Sequence, residues 1–224
     1  MTAILFDIDG TLLNTGGAGK LAMQNALRFA FGLDQIHDGV PFAGRTDRSI
    51  GRDLLRHHGL PAEEQALQRL QDAYLGELPR SLERKPGRIL PGIAELLRRL
   101  AEQTDVALGL LTGNLRRGAE VKLSYFGIDH YFAFGGFGDV HDDRDDVARQ
   151  ALAEGARHLG RELTGSACWV IGDTPLDVRC ARAIGAQVLA VATGGASRAE
   201  LAACQPDLLL DDLADPEPLL QRLA

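Results

Sequence analysis

Cysteine and aromatic residues are scarce in this chain, which excludes a cysteine-based framework and a core built mainly from aromatic side chains. The three cysteines, Cys168, Cys180 and Cys204, are too few and too scattered for a disulfide framework or a zinc site. They are read as free thiols in a reducing compartment. Aromatic residues make up only 5% of the sequence, so aliphatic side chains must supply most of the core. A chain of 224 residues can still bury enough apolar surface to fold without disulfides or a structural metal.

Positive charge and long hydrophobic runs are also lacking. Lys and Arg number 24 against 31 Asp and Glu, a net charge of −7, which argues against binding to nucleic acid or to an anionic membrane. No apolar run approaches the roughly 18 residues of a membrane span. Asp7 and Asp9 interrupt the short N-terminal run before it could form a signal peptide. We therefore expect a soluble cytoplasmic protein, which can still bind a small anion through a divalent cation or a local basic pocket.

Short apolar runs, each stopped by polar residues, predict buried strands at residues 3–6, 106–111, 168–171, 187–191 and 208–210. Helical patterns lie between them at residues 93–100, 115–126, 146–159 and 178–184. Strands that alternate with helices favour an α/β fold with a Rossmann-like, doubly wound parallel sheet. In such a sheet the polar loops collect at the carboxyl ends of the strands.

The stretch between the first two predicted strands differs from the rest. It contains helix-like segments at residues 20–31, 46–57 and 63–82 and no convincing strand run. We interpret residues 16–88 as a small helical cap inserted after the first strand. Residues 1–15 and 89–224 then form the α/β core domain.

Four aspartates follow predicted strands. Asp7 and Asp9 come after the first, and Asp173 and Asp177 after the third. Carboxylates that share a small volume repel one another unless a cation or proton lies between them. Oxygen ligands without Cys or His suit Mg²⁺. Each aspartate alone could equally be a helix cap or a turn former, so only the joint pattern favours a magnesium site.

A second polar group follows the strand at residues 106–111. Thr112 offers a hydroxyl, and Gly113 and Asn114 offer backbone N–H groups where the next helix begins. The start of a helix favours bound anions, so this turn is a candidate phosphate-binding site.

These residues resemble a known family. Residues 6–13, Phe-Asp-Ile-Asp-Gly-Thr-Leu-Leu, resemble the first motif of the haloacid dehalogenase-like hydrolase superfamily. Residues 110–114 resemble its second motif and residues 172–178 its fourth, in the right order and at fitting separations. The resemblance spans essentially the whole chain. Asp9 and the helical insert are similar to the phosphoglycolate phosphatase-like branch, whose insert is a small helical cap.

The resemblance implies a role for each matched residue. Asp7 would be the nucleophile that forms an aspartyl-phosphate, and Asp9 the general acid and then the base. Asp7, the backbone carbonyl of Asp9 and Asp173 would hold Mg²⁺, with Asp177 ligating or orienting nearby. Thr112 and the N–H of Gly113 would bind the transferring phosphoryl oxygens.

The third motif departs from the superfamily pattern, which places a Lys ahead of the third strand. Here that region reads His-Asp-Asp-Arg-Asp-Asp at residues 141–146, and no Lys follows Lys122. Two residues could supply the missing charge. Lys122, on the helix after Thr112, is slightly preferred, and Arg144 lies where the usual Lys would fall. Each also has an ordinary structural explanation, a solvated helix face for Lys122 and pairing with adjacent aspartates for Arg144.

Residues 44–47 resemble a cap loop that some relatives turn toward the substrate. The planar guanidinium of Arg45 suits a carboxylate or a second phosphate, although a structural role before a helix fits it equally well. The resemblance therefore implies a Mg²⁺-dependent phosphatase acting on a small phosphorylated metabolite, with phosphoglycolate as the first guess.

The same residues bear on several other functions. A phosphomutase of the beta-phosphoglucomutase type and a metabolite-binding pseudoenzyme stay as alternatives. Asp9 argues against a dehalogenase, and the position of Asp7 and the presence of a cap argue against a signalling receiver. The sequence does not distinguish a monomer from a homodimer.

Overall fold

A computed structural model describes residues 1–223, which form eight strands and nine α-helices. The strands are β1 (Thr2–Phe6), β2 (Leu13–Asn14), β3 (Arg88–Ile89), β4 (Val106–Leu111), β5 (Phe134–Gly136), β6 (Cys168–Gly172), β7 (Gln187–Val191) and β8 (Leu208–Leu210). The helices are α1 (Ala18–Phe31), α2 (Asp47–His57), α3 (Glu64–Arg84), α4 (Ile93–Ala101), α5 (Arg116–Tyr125), α6 (Arg144–Leu159), α7 (Pro175–Ala183), α8 (Arg198–Ala203) and α9 (Glu217–Leu223).

Six of the strands form one parallel sheet in the order β5-β4-β1-β6-β7-β8. The first strand lies near the middle, where Leu5 is paired with Gly109 of β4 and with Val170 of β6. The chain runs outward from β1 in both directions, as a doubly wound sheet requires. The predicted fold class, a Rossmann-like α/β architecture with a parallel sheet, is confirmed.

Alternation along the strands builds two hydrophobic cores, one on each face of the sheet. Ile4 and Phe6 of β1 pack in one core with helix α4, whereas Ala3 and Leu5 pack in the other with helices α6 and α7. Successive side chains of a strand point to opposite faces, so a continuous apolar run fills both cores at once. This arrangement explains why the strands read as unbroken hydrophobic stretches.

Helices α1, α2 and α3 occupy residues 16–88, which we call the cap segment. They share a third hydrophobic core, which includes Met23, Ile50 and Tyr74. The antiparallel pair β2–β3 lies where the chain leaves the sheet and returns to it. Strand β3 begins at Arg88, the last residue of the segment for which no strand was predicted. Two residues per strand leave too short a pattern to be read from sequence. The division into core and cap domains stays a prediction.

Strand β5 was missed because two of its three residues, Gly135 and Gly136, break the apolar pattern. The glycines serve close packing. A Cβ on Gly136 would lie 2.2 Å from the carbonyl oxygen of Val147, so helix α6 can approach the strand only because no side chain is present. Helices α8 and α9, with six and seven residues, were also not predicted.

The longest helix, α3, has 21 residues and carries charged side chains along its length. Within residues 1–223, no helix combines the length and the apolar character that crossing a membrane requires.

Candidate active site

A cleft of about 590 Å³ opens at the carboxyl ends of β1, β4 and β6, between the sheet and the cap segment. Core residues such as Asp7 and Asp173 line one wall. Cap residues such as Met23 and Tyr74 line the other. The topology brings these loops together because all parallel strands end at the same edge of the sheet.

Three of the predicted aspartates form a buried cluster beside this cleft, which Asp7 and Asp173 line. Asp7, Asp173 and Asp177 are all buried, and one carboxylate oxygen from each lies within 4.8 Å of the others. Burial raises the pKa of Asp7 to about 6, and the neighbouring Asp177 and Asp9 add to the rise against the opposing effect of Arg144. Burial, with Asp177 and Asp7, raises the pKa of Asp173 to about 8. The cluster is therefore a site where a bound cation is favoured.

Glycines make room for two of these carboxylates. A Cβ on Gly194 would lie 1.6 Å from Oδ2 of Asp173, and one on Gly10 would lie 2.5 Å from the same atom. Gly172 similarly leaves space for Asp177, whose Oδ2 also accepts hydrogen bonds from the backbone N–H and the hydroxyl of Thr174 at 2.9 and 2.7 Å. Asp177 is thus tied into the start of α7, whereas Asp173 is held against the cleft.

Arg144, the first residue of α6, reaches this acidic cluster. Its Nη2 lies 3.0 Å from Oδ1 of Asp7 and 2.5 Å from Oδ1 of Asp177, and its side chain is 3% exposed. Its Nη1 donates a hydrogen bond of 3.2 Å to the backbone carbonyl of Gly44 in the cap segment. A buried guanidinium between two buried carboxylates neutralises part of their charge.

Lys122, on α5, belongs to a neighbouring network. Its ammonium lies 2.5 Å from Oδ2 of Asp9 and donates to Oδ1 of Asn114 at 2.6 Å. The Asn114 amide in turn donates to Oδ2 of Asp9 at 2.9 Å and to the hydroxyl of Thr112 at 2.8 Å. The Asp9 side chain is 41% exposed, whereas that of Lys122 is 4% exposed. Two donors therefore fix one oxygen of a carboxylate that faces the cleft.

The turn formed by Thr112, Gly113 and Asn114 packs directly against the cap segment. Gly113 and Asn114 line the cleft, whereas Thr112 is fully buried. A Cβ on Gly113 would lie 2.0 Å from the carbonyl oxygen of Arg45, so only glycine allows this approach.

The two cations of the cap segment that line the cleft are engaged with acids of the same segment. Arg45 lies 2.7 Å from Asp53, and Lys20 lies 2.7 Å from Asp38. The structure therefore brings Arg45 to the cleft with its guanidinium already paired.

Sequence reasoning missed two cleft residues. It included Asp47 in the motif at residues 44–47 without giving its side chain a role, and it did not identify Tyr74. Burial raises the pKa of Asp47 to about 6, partly opposed by Lys122. Burial, with the charges of Asp47 and Asp9, holds the pKa of Tyr74 well above its usual value. Tyr74 follows the helical spacing of the buried residues of α3, so its sequence signal is that of a core residue and no motif could have identified it.

Comparison with known proteins identifies the family. A model of the haloacid dehalogenase-like hydrolase family matches residues 1–185. The chain belongs to the haloacid dehalogenase-like hydrolase family. The phosphoglycolate phosphatase of Synechococcus elongatus is 33% identical over 223 residues, which cover 99% of this chain and 96% of that protein. The phosphoglycolate phosphatase of Nitrosococcus oceani is 26% identical, with 99% and 97% covered. The enzyme class predicted from the motifs, a phosphatase of this family, is confirmed.

Solved structures show the same fold. A hydrolase from Pseudomonas syringae is 23% identical with a TM-score of 0.73 and covers 100% of both chains. CbbY from Rhodobacter sphaeroides, solved in complex with phosphate, is 22% identical with a TM-score of 0.75 and covers 96% of each chain.

In this haloacid dehalogenase-like hydrolase, both residues considered for the third motif reach the cleft. Arg144 contacts the first aspartate of the motif, Asp7, whereas Lys122 contacts the second, Asp9. The geometry places Arg144, rather than the slightly preferred Lys122, beside Asp7, and which of the two serves as the third-motif cation stays a prediction.

Proposed function

We propose that the protein is a Mg²⁺-dependent phosphatase that hydrolyses a small phosphorylated metabolite, with 2-phosphoglycolate as the first candidate. The observation that carries the proposal is the placement of Asp7 and Asp9 in one cleft, each beside its own buried cation. The names of the two phosphoglycolate phosphatase relatives favour this substrate among small phosphomonoesters.

Asp7 acts as the nucleophile in this proposal. Its carboxylate oxygen attacks phosphorus, the bond from phosphorus to the leaving alcohol oxygen breaks, and an aspartyl-phosphate forms. The contact with Arg144 lowers the repulsion between the carboxylate and the phosphate dianion as they approach.

Asp9 transfers the protons. It donates a proton to the leaving alcohol, then accepts one from the water that attacks the aspartyl-phosphate and releases inorganic phosphate. Lys122 and Asn114 both hold Oδ2 of Asp9, which leaves Oδ1 as the atom that exchanges the proton.

The turn at residues 112–114 binds the transferring group. In this proposal the backbone N–H of Gly113, just ahead of α5, donates to a phosphate oxygen. The buried Thr112 hydroxyl bonds to Asn114 and orients this turn from beneath.

Asp7, Asp173 and the backbone carbonyl of Asp9 would hold Mg²⁺, and the all-oxygen donor set with its raised pKa values fits that ion. When bound, Mg²⁺ supplies charge neutralisation for the phosphate. Asp177 is already bonded to Thr174 and Arg144, so in this proposal it orients the site rather than ligates.

The pseudoenzyme alternative arose from the missing lysine of the third motif. Arg144 beside Asp7 removes that reason. Arg45 pairs with Asp53 through Nη2 and has further N–H groups that could bind a substrate carboxylate, in a cleft of about 590 Å³ suited to small substrates.

The test is phosphate release from a panel of small phosphomonoesters with Mg²⁺ or with EDTA, comparing the wild type with Asp7→Asn. We expect metal-dependent release by the wild type and a loss of roughly 10⁴-fold or more in the variant, because the nucleophile is removed. Asp146→Asn is the matched control, since that exposed acid lies on α6 and pairs with Arg149. Retained turnover in Asp7→Asn would exclude the aspartyl-phosphate.

A further inference from the structure

The helix that follows the phosphate-binding turn lacks a capping side chain of its own. Leu115 stands at the N-cap of α5, where Ser, Thr, Asp or Asn is preferred, and it makes no side-chain cap hydrogen bond. The Leu115 side chain is instead buried in the hydrophobic core of the cap segment. The first N–H groups of α5 must therefore find acceptors from elsewhere in the chain.

Asp47 supplies one acceptor from the first residue of α2, 68 positions away. Its Oδ2 accepts a hydrogen bond of 2.9 Å from the N–H of Leu115. The backbone N–H of Asp47 donates to the carbonyl of Gly113 at 2.7 Å. Asp47 of the cap segment thus forms hydrogen bonds at both ends of residues 113–115, to the carbonyl of Gly113 and from the N–H of Leu115.

We infer that Asp47 is a positioning residue that sets the phosphate-binding turn from the cap side. The inference rests on the proposed function of that turn and adds a side chain to which neither the family motifs nor the sequence assigned a role. Its carboxylate orients the turn, so removing it lowers phosphate affinity whichever alcohol is attached.

A second aspartate accepts a hydrogen bond from the start of α5 and provides a matched control. Asp139 accepts a hydrogen bond of 2.9 Å from the N–H of Arg116, the first residue of α5, but it is exposed and lies in the loop between β5 and α6. If Asp47 is only a helix cap, then Asp139→Ala and Asp47→Ala will have the same effect.

The experiment measures the binding of inorganic phosphate, with Mg²⁺ present, by calorimetry and as product inhibition. Inorganic phosphate has no leaving group, so its binding does not depend on contacts made to the alcohol of a substrate. We expect Asp47→Ala to weaken phosphate binding about 10-fold and to lower kcat/KM by roughly 10- to 100-fold for every panel substrate alike. Asp47→Asn keeps an acceptor oxygen and should stay within about 3-fold of the wild type, as should Asp139→Ala.

Equal weakening by Asp139→Ala and Asp47→Ala would overturn the inference in favour of ordinary helix capping. Unchanged phosphate affinity in Asp47→Ala, together with losses that differ between substrates, would instead make Asp47 a contact to the leaving group. If the wild type hydrolyses no panel member, the proposed function fails, but calorimetry still decides the role of Asp47. A wild type that binds no phosphate overturns both.

Discussion

The two walls of the cleft differ in chemistry and in origin. The core wall presents charged groups, including Asp7 and Asp173 at strand ends and Arg144 at the start of α6, and these three are nearly inaccessible to solvent. The cap wall presents mostly apolar side chains, such as Met23 and Ile50, which are also part of the cap core. The sheet fixes the first wall through its backbone, whereas helix packing fixes the second. Reaction chemistry should therefore depend on the core wall and substrate choice on the cap wall.

The largest effect on this comparison should come from the cations of the core wall. Because Arg144 touches Asp7 and Lys122 touches Asp9, we expect Arg144→Ala to lower kcat by about 10²- to 10³-fold and Lys122→Ala by about 10-fold. The measurement is kcat at saturating Mg²⁺ with the best panel substrate.

Removing Arg144 also leaves Asp7 and Asp177 buried without a counterion, which can destabilise the fold. Arg144→Lys keeps a positive charge and should recover part of kcat, and the melting temperature of each variant separates stability from catalysis. Arg149→Ala, on the exposed face of α6, is the control. Equal and mild losses in Arg144→Ala and Lys122→Ala would show that neither supplies the essential charge.

The core wall should also control how stability depends on pH. The pKa values of Asp7, at about 6, and Asp173, at about 8, lie above the value near 4 of an unfolded chain. The unfolded state then loses its protons first, so the metal-free protein should lose stability, by on the order of a few kcal/mol, as pH rises from about 4 to about 8.

Mg²⁺ prefers the ionised carboxylates and should offset that loss. Thermal melting with EDTA and with Mg²⁺ should show a gap in Tm that widens as pH rises. Asp173→Asn should flatten the curve in EDTA and close the gap. A gap of constant size across this range would contradict the assignment of these acids to the metal.

The difference between the walls explains what the sequence could predict. The sheet and the acidic cluster follow from short apolar runs that each end in polar residues, as at Phe6 and Asp7. Asp9, Lys122 and Arg144 were found as candidates, but only the fold shows which cation touches which carboxylate. That pairing depends on how far α5 and α6 lie from β1, and no residue spacing encodes it.

The cap wall could not be predicted in the same way. Tyr74 lies 65 positions from Asp9 and follows the helical spacing of the buried residues of α3. Its sequence signal is therefore that of a core residue. Asp47 was read as part of a loop motif, because the N–H of Leu115 that it accepts from lies in another part of the chain. Contacts between a helical insert and a sheet edge arise from packing, and periodicity within either element does not reveal them.

The smallest expected effect tests the cap wall itself. Tyr74→Phe keeps the buried ring in the cap core and removes only the hydroxyl, which stays protonated because the pKa of Tyr74 lies well above its usual value. We expect KM to change by about 2- to 5-fold, with kcat within about 2-fold, because a contact remote from the reacting atoms contributes uniform binding. Steady-state kinetics across the panel measures both.

Tyr125→Phe provides the control, because that tyrosine is 50% exposed and lies at the end of α5. The change in KM for Tyr74→Phe should vary between leaving groups, being largest for those with an acceptor that the hydroxyl can reach. A fall in kcat comparable to that of Arg144→Ala would place Tyr74 among the reacting groups and remove the division of labour between the walls. A change in KM that is the same for every substrate would instead mean that the hydroxyl acts through the shared phosphate, on the core side of the cleft.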